Sequence, residues 1–340
     1  MKNLSAYFAV LALGCFGVIS CAQETEVSSK DMEKKVLEAH VSVVHKDTLT
    51  KTASGLYYTS LIQGNGARIT DTAVVFVRET TYDMNYNITG STDEKVARQL
   101  GDYSTANSYE PLLWFTHSQA IMMGLEEMLL EMREGDTRRI WLPYWLSSYY
   151  EGGTSSNTTT VVYDLTLDKV VYDIDKYQIE NLESFKNAHY PGLDSLMKGY
   201  YSKDIVVGTG DTIAYGETVK AYYVGKLLNG FTFDTNVADT ATKYFISCGQ
   251  TTDWTIPEAA DWENGRYIGE SDGMTSIEGF TKCLMGMRYG GVSICFFHSE
   301  FGYDSDGSSS SSTGTYINGG YGIQPYTPLF FWLYVPLDQD

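Results

Sequence analysis

Basic residues are scarce in this chain of 340 residues: 24 Lys and Arg stand against 43 Asp and Glu, for a formal net charge of −19. A protein that grips nucleic acid must supply cations to displace the counterions on its phosphates, so this balance argues against such a role. It is suited instead to solubility through self-repulsion. Cysteine is scarcer still, with five in all. Beyond Cys15 and Cys21, the remaining Cys248, Cys283 and Cys295 show neither CxxC nor Cys/His ligand spacing, so no zinc site or disulfide framework follows. Each of the three lies in an apolar context that should bury it as a small hydrophobe, one opportunistic disulfide being the alternative in an oxidising compartment. Long apolar runs are missing after the first twenty residues, and no later membrane-spanning segment is expected. His117, His189 and His298 stand alone and suggest no Ser/His/Asp grouping. Gly64-Asn65-Gly66 and Gly208-Thr209-Gly210 open no helix and do not read as phosphate cradles. Asp304-Ser305-Asp306-Gly307 hints at calcium but lacks the downstream Glu and runs into Ser308 to Ser312, which reads as a loop tip. No cofactor and no metal are implied.

What is present begins with an export signal. Lys2 is positive, Tyr7 to Ile19 is apolar but too short to span a bilayer stably, and Val18-Ile19-Ser20-Cys21 closes the segment with small residues. This resembles a bacterial lipobox, which implies cleavage before Cys21, acylation of its thiol and an acidic tether, Gln23 to Lys30. The protein would then be lipid-anchored to a membrane of the cell envelope, periplasmic or surface-exposed. Leu13-Gly14-Cys15 is a competing site, and the plainer reading is a cleaved signal peptide that leaves Cys21 a free thiol.

The rest of the chain, in a sequence 43% hydrophobic and 20% charged, is long enough for two ordinary domains with separate cores. It repeats one plan. Gly55-Leu56-Tyr57-Tyr58, Gly64-Asn65-Gly66 and Asp71-Thr72 recur as Gly199-Tyr200-Tyr201, Gly208-Thr209-Gly210 and Glu217-Thr218, each opening into a β-branched run. Met122, Leu125, Leu129 and Met132 keep the same spacing as Ile277, Phe280, Leu284 and Met287, which draws one apolar stripe on a short helix. Gly135 and Gly290 follow each stripe, placed to serve as left-handed caps. A strand comes next, Thr137 to Leu142 and Gly291 to Phe297, and each copy closes on an apolar strand, Thr160 to Val170 and Pro328 to Leu337. Asp175 to Lys198 is charged and helically spaced, a linker helix with a counterpart at Asp31 to His40. The expected division is a signal over 1–21, a tether and short helix over 22–50, domains over 51–172 and 201–340, and the linker over 173–200. Each domain should be α+β, a mainly antiparallel twisted sheet wrapped on a short helix.

In the second copy Tyr222-Tyr223-Val224-Gly225 leads to Leu227-Leu228-Asn229-Gly230 and Phe233-Asp234-Thr235. Ile277-x-Gly279-Phe280 opens the helix, Met287-x-x-Gly290 follows it, and Ser299 to Tyr303 forms an aromatic loop before a Phe-containing last strand. This order resembles the FKBP-type peptidyl-prolyl cis-trans isomerase domain over almost all of Ile205 to Pro336. The resemblance nominates Tyr223, Phe233, Asp234, Ile277, Phe280, Tyr303 and Phe331 as the catalytic pocket, with Phe280 on the floor where the family usually has Trp. Tyr244, in a Tyr-x-Ile-x-Cys-Gly strand, is nominated as a substrate contact. The first copy fits at Ile121 to Glu127 and at Trp141-Leu142-Pro143. Its tyrosine position falls near Arg78, its Phe-Asp position near Ile88-Thr89 and its later tyrosine near Ser147, so the fold is expected there without the pocket chemistry. Both copies carry excursions before the helix, residues 89–119 and 250–276, and the second is expected to stay clear of the pocket.

Turning an Xaa-Pro bond breaks amide resonance, a barrier of about 18–20 kcal/mol, and needs neither nucleophile nor proton transfer. A catalyst has only to hold the twisted amide better than the planar one, which a dry aromatic box can do. Phe233, Ile277, Phe280 and Phe331 would form that box; the Ile277 N–H and the Tyr303 hydroxyl would fix flanking carbonyls, and Asp234 with the Tyr223 hydroxyl would hold polar groups at the rim. By the same resemblance the partners are proline-containing polypeptides, and macrolide inhibitors are ligands of the family pocket. Taken singly, each of these aromatics reads more readily as core packing, and only their joint spacing favours a site. The alternatives are a non-catalytic pair of folds that grips a peptide or surface partner, and glycan recognition by the Tyr- and Trp-rich loops.

Overall fold

The structure is a computed structural model; it describes residues 28–339 apart from 71, 119, 156–157, 245, 247–251, 271–275 and 310–320. The export signal, Cys15, Cys21, the tether as far as residue 27, and Cys248 lie outside the described residues. The chain forms two compact units that meet in sequence between Thr48 and Leu49. The first contains helix α1 (Ser29–His45), capped by the Ser28 hydroxyl, which accepts from the Asp31 N–H at 3.1 Å. Its buried residues Leu37 and Val41 lie four apart, on one face. Among the described residues no helix is long and apolar enough to cross a membrane.

The second unit opens with β1 (Thr50–Lys51), β2 (Tyr57–Ile62), β3 (Val74–Tyr82), β4 (Ile88–Ser91), α2 (Glu94–Leu100), β5 (Leu112–Phe115), α3 (Met123–Leu130), β6 (Thr137–Leu142) and β7 (Val161–Val171). Helix α4 (Ile174–His189) follows. Then come β8 (Tyr200–Val206), β9 (Thr218–Lys220), β10 (Tyr222–Leu227), β11 (Thr232–Thr235), α5 (Ala238–Tyr244), β12 (Asp253–Thr255), β13 (Trp262–Glu263), β14 (Arg266–Tyr267), α6 (Glu278–Met285), β15 (Val292–Phe297), β16 (Ser308–Ser309), β17 (Tyr321–Ile323) and β18 (Leu329–Tyr334).

Each copy builds an antiparallel sheet, and the two share one strand order. It runs β2-β6-β7-β3-β4 in the first, with β1 added at the edge, and β8-β15-β18-β10-β11 in the second. Each sheet packs on one short helix, so the α+β reading holds. Both excursions also contain a strand of the shared plan, since β5 pairs with β3 and β12 pairs with β9, immediately before β10.

Two clusters form the cores. In the first, Leu125, Met128 and Leu129 of α3 bury against Val75 and Val77 of β3 and Leu165 and Leu167 of β7. In the second, Phe280 and Leu284 of α6 bury against Cys295 and Phe297 of β15 and Phe331 and Leu333 of β18. The intervening residues of those strands, Ile294, Phe296 and Phe330, point the other way and meet Leu182 and Phe185 of α4. That is period-2 alternation with both faces covered, the reason Pro328 to Leu337 reads as a nearly continuous apolar run. Phe185 sits edge-on to Phe296 and Phe330 at 5.2 and 5.9 Å. Asp173 starts α4 by accepting from the Lys176 N–H at 2.9 Å, and the linker helix packs on the outer face of the second sheet.

The helices end earlier than their stripes suggested. Helix α3 stops at Leu130 and α6 at Met285, with Glu131 and Gly286 as right-handed caps. Gly135 (φ +91°) and Gly290 (φ +80°) occupy the following turns instead. Their N–H groups donate to Leu167 and Val335 at 2.8 and 2.9 Å, docking each turn on the last strand of its sheet. The left-handed conformation is still what selects glycine.

Gly279 marks the closest helix-to-sheet approach in the second core: a Cβ there would lie 2.5 Å from the Phe297 ring. Gly286 has open room, its nearest neighbour lying 3.7 Å from such an atom. Gly279→Ala is therefore expected to cost about 1–3 kcal/mol in urea unfolding through overpacking. Gly286→Ala should be neutral or stabilising by about 0.5 kcal/mol through lost unfolded-state freedom. Equal effects of the two would count against this account of the contact.

Candidate functional site

Strand β10 carries Tyr223 into the second core, and β11, joined to β10 by the Asn229-Gly230 turn, brings Phe233 and Asp234 alongside. Two side chains lock this pair beyond the backbone ladder. The Thr235 hydroxyl donates to the Tyr223 carbonyl at 2.5 Å, and Asn236 accepts from the Tyr223 N–H at 2.8 Å while donating to the Ala221 carbonyl at 2.9 Å. Gly225 opens the space that follows: a Cβ there would lie 2.8 Å from Phe233 and 3.0 Å from Phe331.

Four nominated rings converge. Phe280 meets Phe331 at 5.3 Å and Tyr223 at 5.5 Å, and Phe233 meets Phe331 at 5.7 Å, all edge to face, the arrangement that aromatic quadrupoles favour. Phe280, Phe233, Tyr223 and Phe331 are only 1%, 2%, 3% and 4% exposed, so these rings pack on one another. Ile277 and Tyr303 are half-buried against the same cluster. Ile277 is the residue that starts α6, and its carbonyl accepts from Thr281.

The polar part is one carboxyl and two phenols. Tyr223 donates its hydroxyl to Asp234 Oδ2 at 2.7 Å, and the Thr235 N–H donates to Oδ1 at 2.8 Å. Burial nonetheless holds the Asp234 carboxyl above the usual carboxylate range, outweighing these stabilising bonds. Burial also raises the Tyr303 phenol, and the Asp234 charge adds to that rise. Asp234 and Tyr303 thus share one polar edge of the aromatic cluster.

Tyr244 is not brought to this edge. It ends α5 rather than lying on a strand, and it lines a separate recess of about 270 Å³ with Tyr103, Tyr109 and Phe231. The strand beside β9 is formed by Asp253–Thr255 instead, while Thr242 bonds back to the Ala238 carbonyl within the helix. That register delivers a residue not nominated from the sequence. Trp254 of the second excursion is 7% exposed, lies 4.8 Å from the Phe280 ring and 5.7 Å from Tyr223, and donates its indole N–H to Ala221 at 3.3 Å. The excursion therefore does enter the cluster, setting an indole beside the phenylalanine floor. The missed signal was Asp253-Trp254-Thr255, a short strand pattern hidden among acidic and aromatic residues.

The same excursion grips the site from outside. Arg266 pairs with Glu278 at 2.9 Å and with Glu300 at 3.0 Å, and its guanidinium lies 4.3 Å from the Phe301 ring. Glu278 follows Ile277, and Glu300 opens the turn leading to Tyr303, so one cation ties together both half-buried walls. Cys283 and Cys295 are buried thiols behind the floor; Cys295 contacts the Gly279 carbonyl at 3.9 Å.

Strand register identifies the counterparts in the first copy. Glu79 pairs across β7 at Leu165, as Tyr223 does across β18 at Leu333. Leu165 in turn faces Arg138, three residues after Gly135, and Leu333 faces Ser293, three after Gly290. By the same count Tyr163 replaces Phe331, Leu125 replaces Phe280, Thr89-Gly90 replaces Phe233-Asp234, and Ser148 replaces Tyr303. The expected positions near Arg78, Ile88-Thr89 and Ser147 were each one residue off, and a one-residue slip in a strand turns the side chain to the other face. The core-facing residue is Glu79, whose carboxyl burial pushes up to about 7.

No protein-family model matches the chain, and no curated protein matches it. Solved structures do. A peptidyl-prolyl cis-trans isomerase from Pseudomonas syringae pv. tomato is 22% identical, covers 48% of this chain and 91% of that one, and has a TM-score of 0.32. The three FKBP domains of wheat FKBP73 are 14% identical, cover 84% and 94%, and have a TM-score of 0.29. FkpA from Escherichia coli is 18% identical, covers 50% and 70%, and has a TM-score of 0.32.

Two outcomes are expected. Arg266→Ala takes the paired guanidinium from the Glu278 carboxylate, 12% exposed, leaving Lys282 as a nearby cation, and should cost about 1–2 kcal/mol in urea unfolding. Arg266→Lys should restore less than half, since one ammonium cannot span both acids. For Glu79, a folded pKa above the ordinary 4.5 means a contribution present below pH 4.5 and lost as pH rises through about 7. Glu79→Gln should therefore leave stability unchanged at pH 4 and raise it by on the order of 2 kcal/mol at pH 8. Thermal midpoints that shift equally at both pH values would contradict this.

Proposed function

We propose that the second copy is a peptidyl-prolyl cis-trans isomerase of the FKBP type that assists protein folding in the cell envelope. The observation that carries this reading is the gathering of Tyr223, Phe233, Phe280 and Phe331 into one cluster whose edge holds Asp234, bonded by Tyr223, beside Tyr303. Tyr223, Phe233, Phe280 and Phe331 are also members of the buried core of this copy, and what supports the reading beyond core packing is the Asp234 carboxyl, bonded by Tyr223, with Tyr303 packed on the same cluster.

In this reading the proline ring of a client polypeptide is received at the half-buried Ile277 and Tyr303, over the edge of the Phe233, Phe280 and Phe331 cluster. The planar Xaa-Pro amide carries more charge separation than the twisted one, so a dry aromatic surface disfavours the planar ground state relative to the twisted transition state. The Tyr303 hydroxyl and the Ile277 N–H hold flanking carbonyls, and Asp234, held by Tyr223, orients polar groups at the rim. No atom of the substrate gains or loses a proton. Trp254 backs the Phe280 floor and supplies an indole where a larger ring is wanted. Macrolide inhibitors are ligands for the same cluster. The lipobox-like segment ending at Cys21 supports a lipid anchor, and with it a periplasmic or surface position facing unfolded clients. The first copy, with Glu79 and Leu125 at the counterpart positions, serves as a non-catalytic module.

One observation favours a second reading. The rings are exposed by only 1–4%, a filled cluster that suits a pair of folds gripping a peptide or surface partner through its excursions, without turning a proline. Acceleration of cis-to-trans conversion in an Xaa-Pro peptide by the full chain separates the two. The isomerase reading expects a pH-independent kcat/KM across about pH 6–8. Asp234→Ala and Tyr303→Phe should each lower it by on the order of tenfold. No acceleration by the wild-type chain at high concentration would leave the binding reading.

A further inference from the structure

We infer that the first copy is a brace for the site of the second, and that Gln324 is the positioning residue through which it acts. This deepens the isomerase reading and rests on it for its effect on rate, while its structural content stands independently. Gln324 lies in the loop between β17 and β18, 20 residues after Asp304, and its side chain reaches the first copy. Its Oε1 accepts from the Leu113 N–H at 2.6 Å and its Nε2 donates to the Pro111 carbonyl at 3.0 Å. A single primary amide thereby satisfies one donor and one acceptor of the β5 edge, as a neighbouring strand would.

From Gln324 the contact continues to the site. Two residues on, the Tyr326 N–H donates to the Asp304 carbonyl at 2.7 Å. Both residues hold left-handed backbones, Tyr326 at φ +55° and Asp304 at φ +40°. Such conformations are disfavoured in residues with a Cβ and persist only where surroundings hold them. The Tyr326 ring also meets Phe115 of β5 at 5.9 Å. Asp304 adjoins Tyr303, whose carbonyl accepts from Asp306 and Gly307 at 3.1 and 3.0 Å. Gly307 in turn is pressed on this loop, since a Cβ there would lie 2.6 Å from the Ile323 carbonyl. The first copy thus holds Gln324, Gln324 holds the strained Tyr326–Asp304 pair, and that pair sets where the Tyr303 hydroxyl sits. Other bonds between the copies, such as Thr105 to the Lys243 carbonyl at 3.3 Å, bypass this loop.

The test compares full-length wild type, Gln324→Ala, Gln324→Glu and Thr105→Ala by amide hydrogen exchange and isomerase kinetics. The brace expects exchange at the amides of Asp304, Asp306, Gly307 and Tyr326 to rise about tenfold or more in Gln324→Ala, with the β15 and β18 amides unchanged. Gln324→Glu, which keeps the acceptor for Leu113 but not the donor for Pro111, should fall between. Thr105→Ala should match wild type. In the kinetics, Gln324→Ala should lower kcat about fivefold with KM little changed, as expected of a displaced transition-state contact. Unchanged exchange at those four amides in Gln324→Ala overturns the brace, as does an equal rise in Thr105→Ala, which would signal general loosening between the copies. A wild-type chain without isomerase activity sinks the functional reading but leaves the exchange result to decide the brace.

Discussion

The second sheet is buried on both sides, and the placement of the residues of the site depends on that. Strands β15 and β18 lie between α6 on one face and α4 on the other, so alternate residues must serve two different apolar surfaces. Cys295, Phe297, Phe331 and Leu333 face α6; Ile294, Phe296 and Phe330 face α4. Because the period is fixed at two, Phe331 reaches the aromatic cluster only if Phe330 is accepted by the opposite face. The linker helix, with Leu182 fully buried and Phe185 edge-on to two rings, provides that acceptance. It therefore sets the register of the site as well as joining the copies.

The two copies show how one plan diverges in chemistry while keeping its mechanics. Strand order, the helix on the sheet and the docked glycine turns are shared, because they satisfy backbone hydrogen bonds and close packing irrespective of the side chains in the cup. What differs is the set of residues aimed at the helix. Tyr223, Phe280 and Phe331 in the second copy correspond to Glu79, Leu125 and Tyr163 in the first. A carboxyl set where its charge is disfavoured is poorly suited to a dry aromatic surface, and a leucine floor offers no ring face. The first copy has kept what a scaffold needs, and its excursion supplies β5, the edge to which Gln324 bonds.

The excursions illustrate a limit of reading the chain in one dimension. Residues 89–119 and 250–276 interrupt the motif pattern and so look like additions beside the fold. In three dimensions each contributes a strand to the shared plan, and the second adds Trp254 to the cluster and Arg266 to its walls. These contacts join residues far apart in the sequence, and no local spacing encodes which acid an arginine will find.

Much was legible in the residues themselves. The repeat, the antiparallel strands and their single packed helices follow from apolar periodicity and from glycines at turns, since a side chain's direction on a helix or strand is dictated by the backbone period alone. The Tyr223, Phe233, Asp234, Phe280 and Phe331 positions were marked by motif, and Asp234 was paired to Tyr223 by the hairpin that the Asn229-Gly230 turn closes. The tertiary structure decided what depends on register and on distant partners: that Tyr244 ends a helix, that Glu79 and not Arg78 faces the first core, that α4 covers the second sheet, and that Gln324 spans the copies. Each turns on a one-residue shift or on a contact between distant segments. Such choices are made by the free energy of the whole packed arrangement, to which a local stretch of sequence contributes too little to decide.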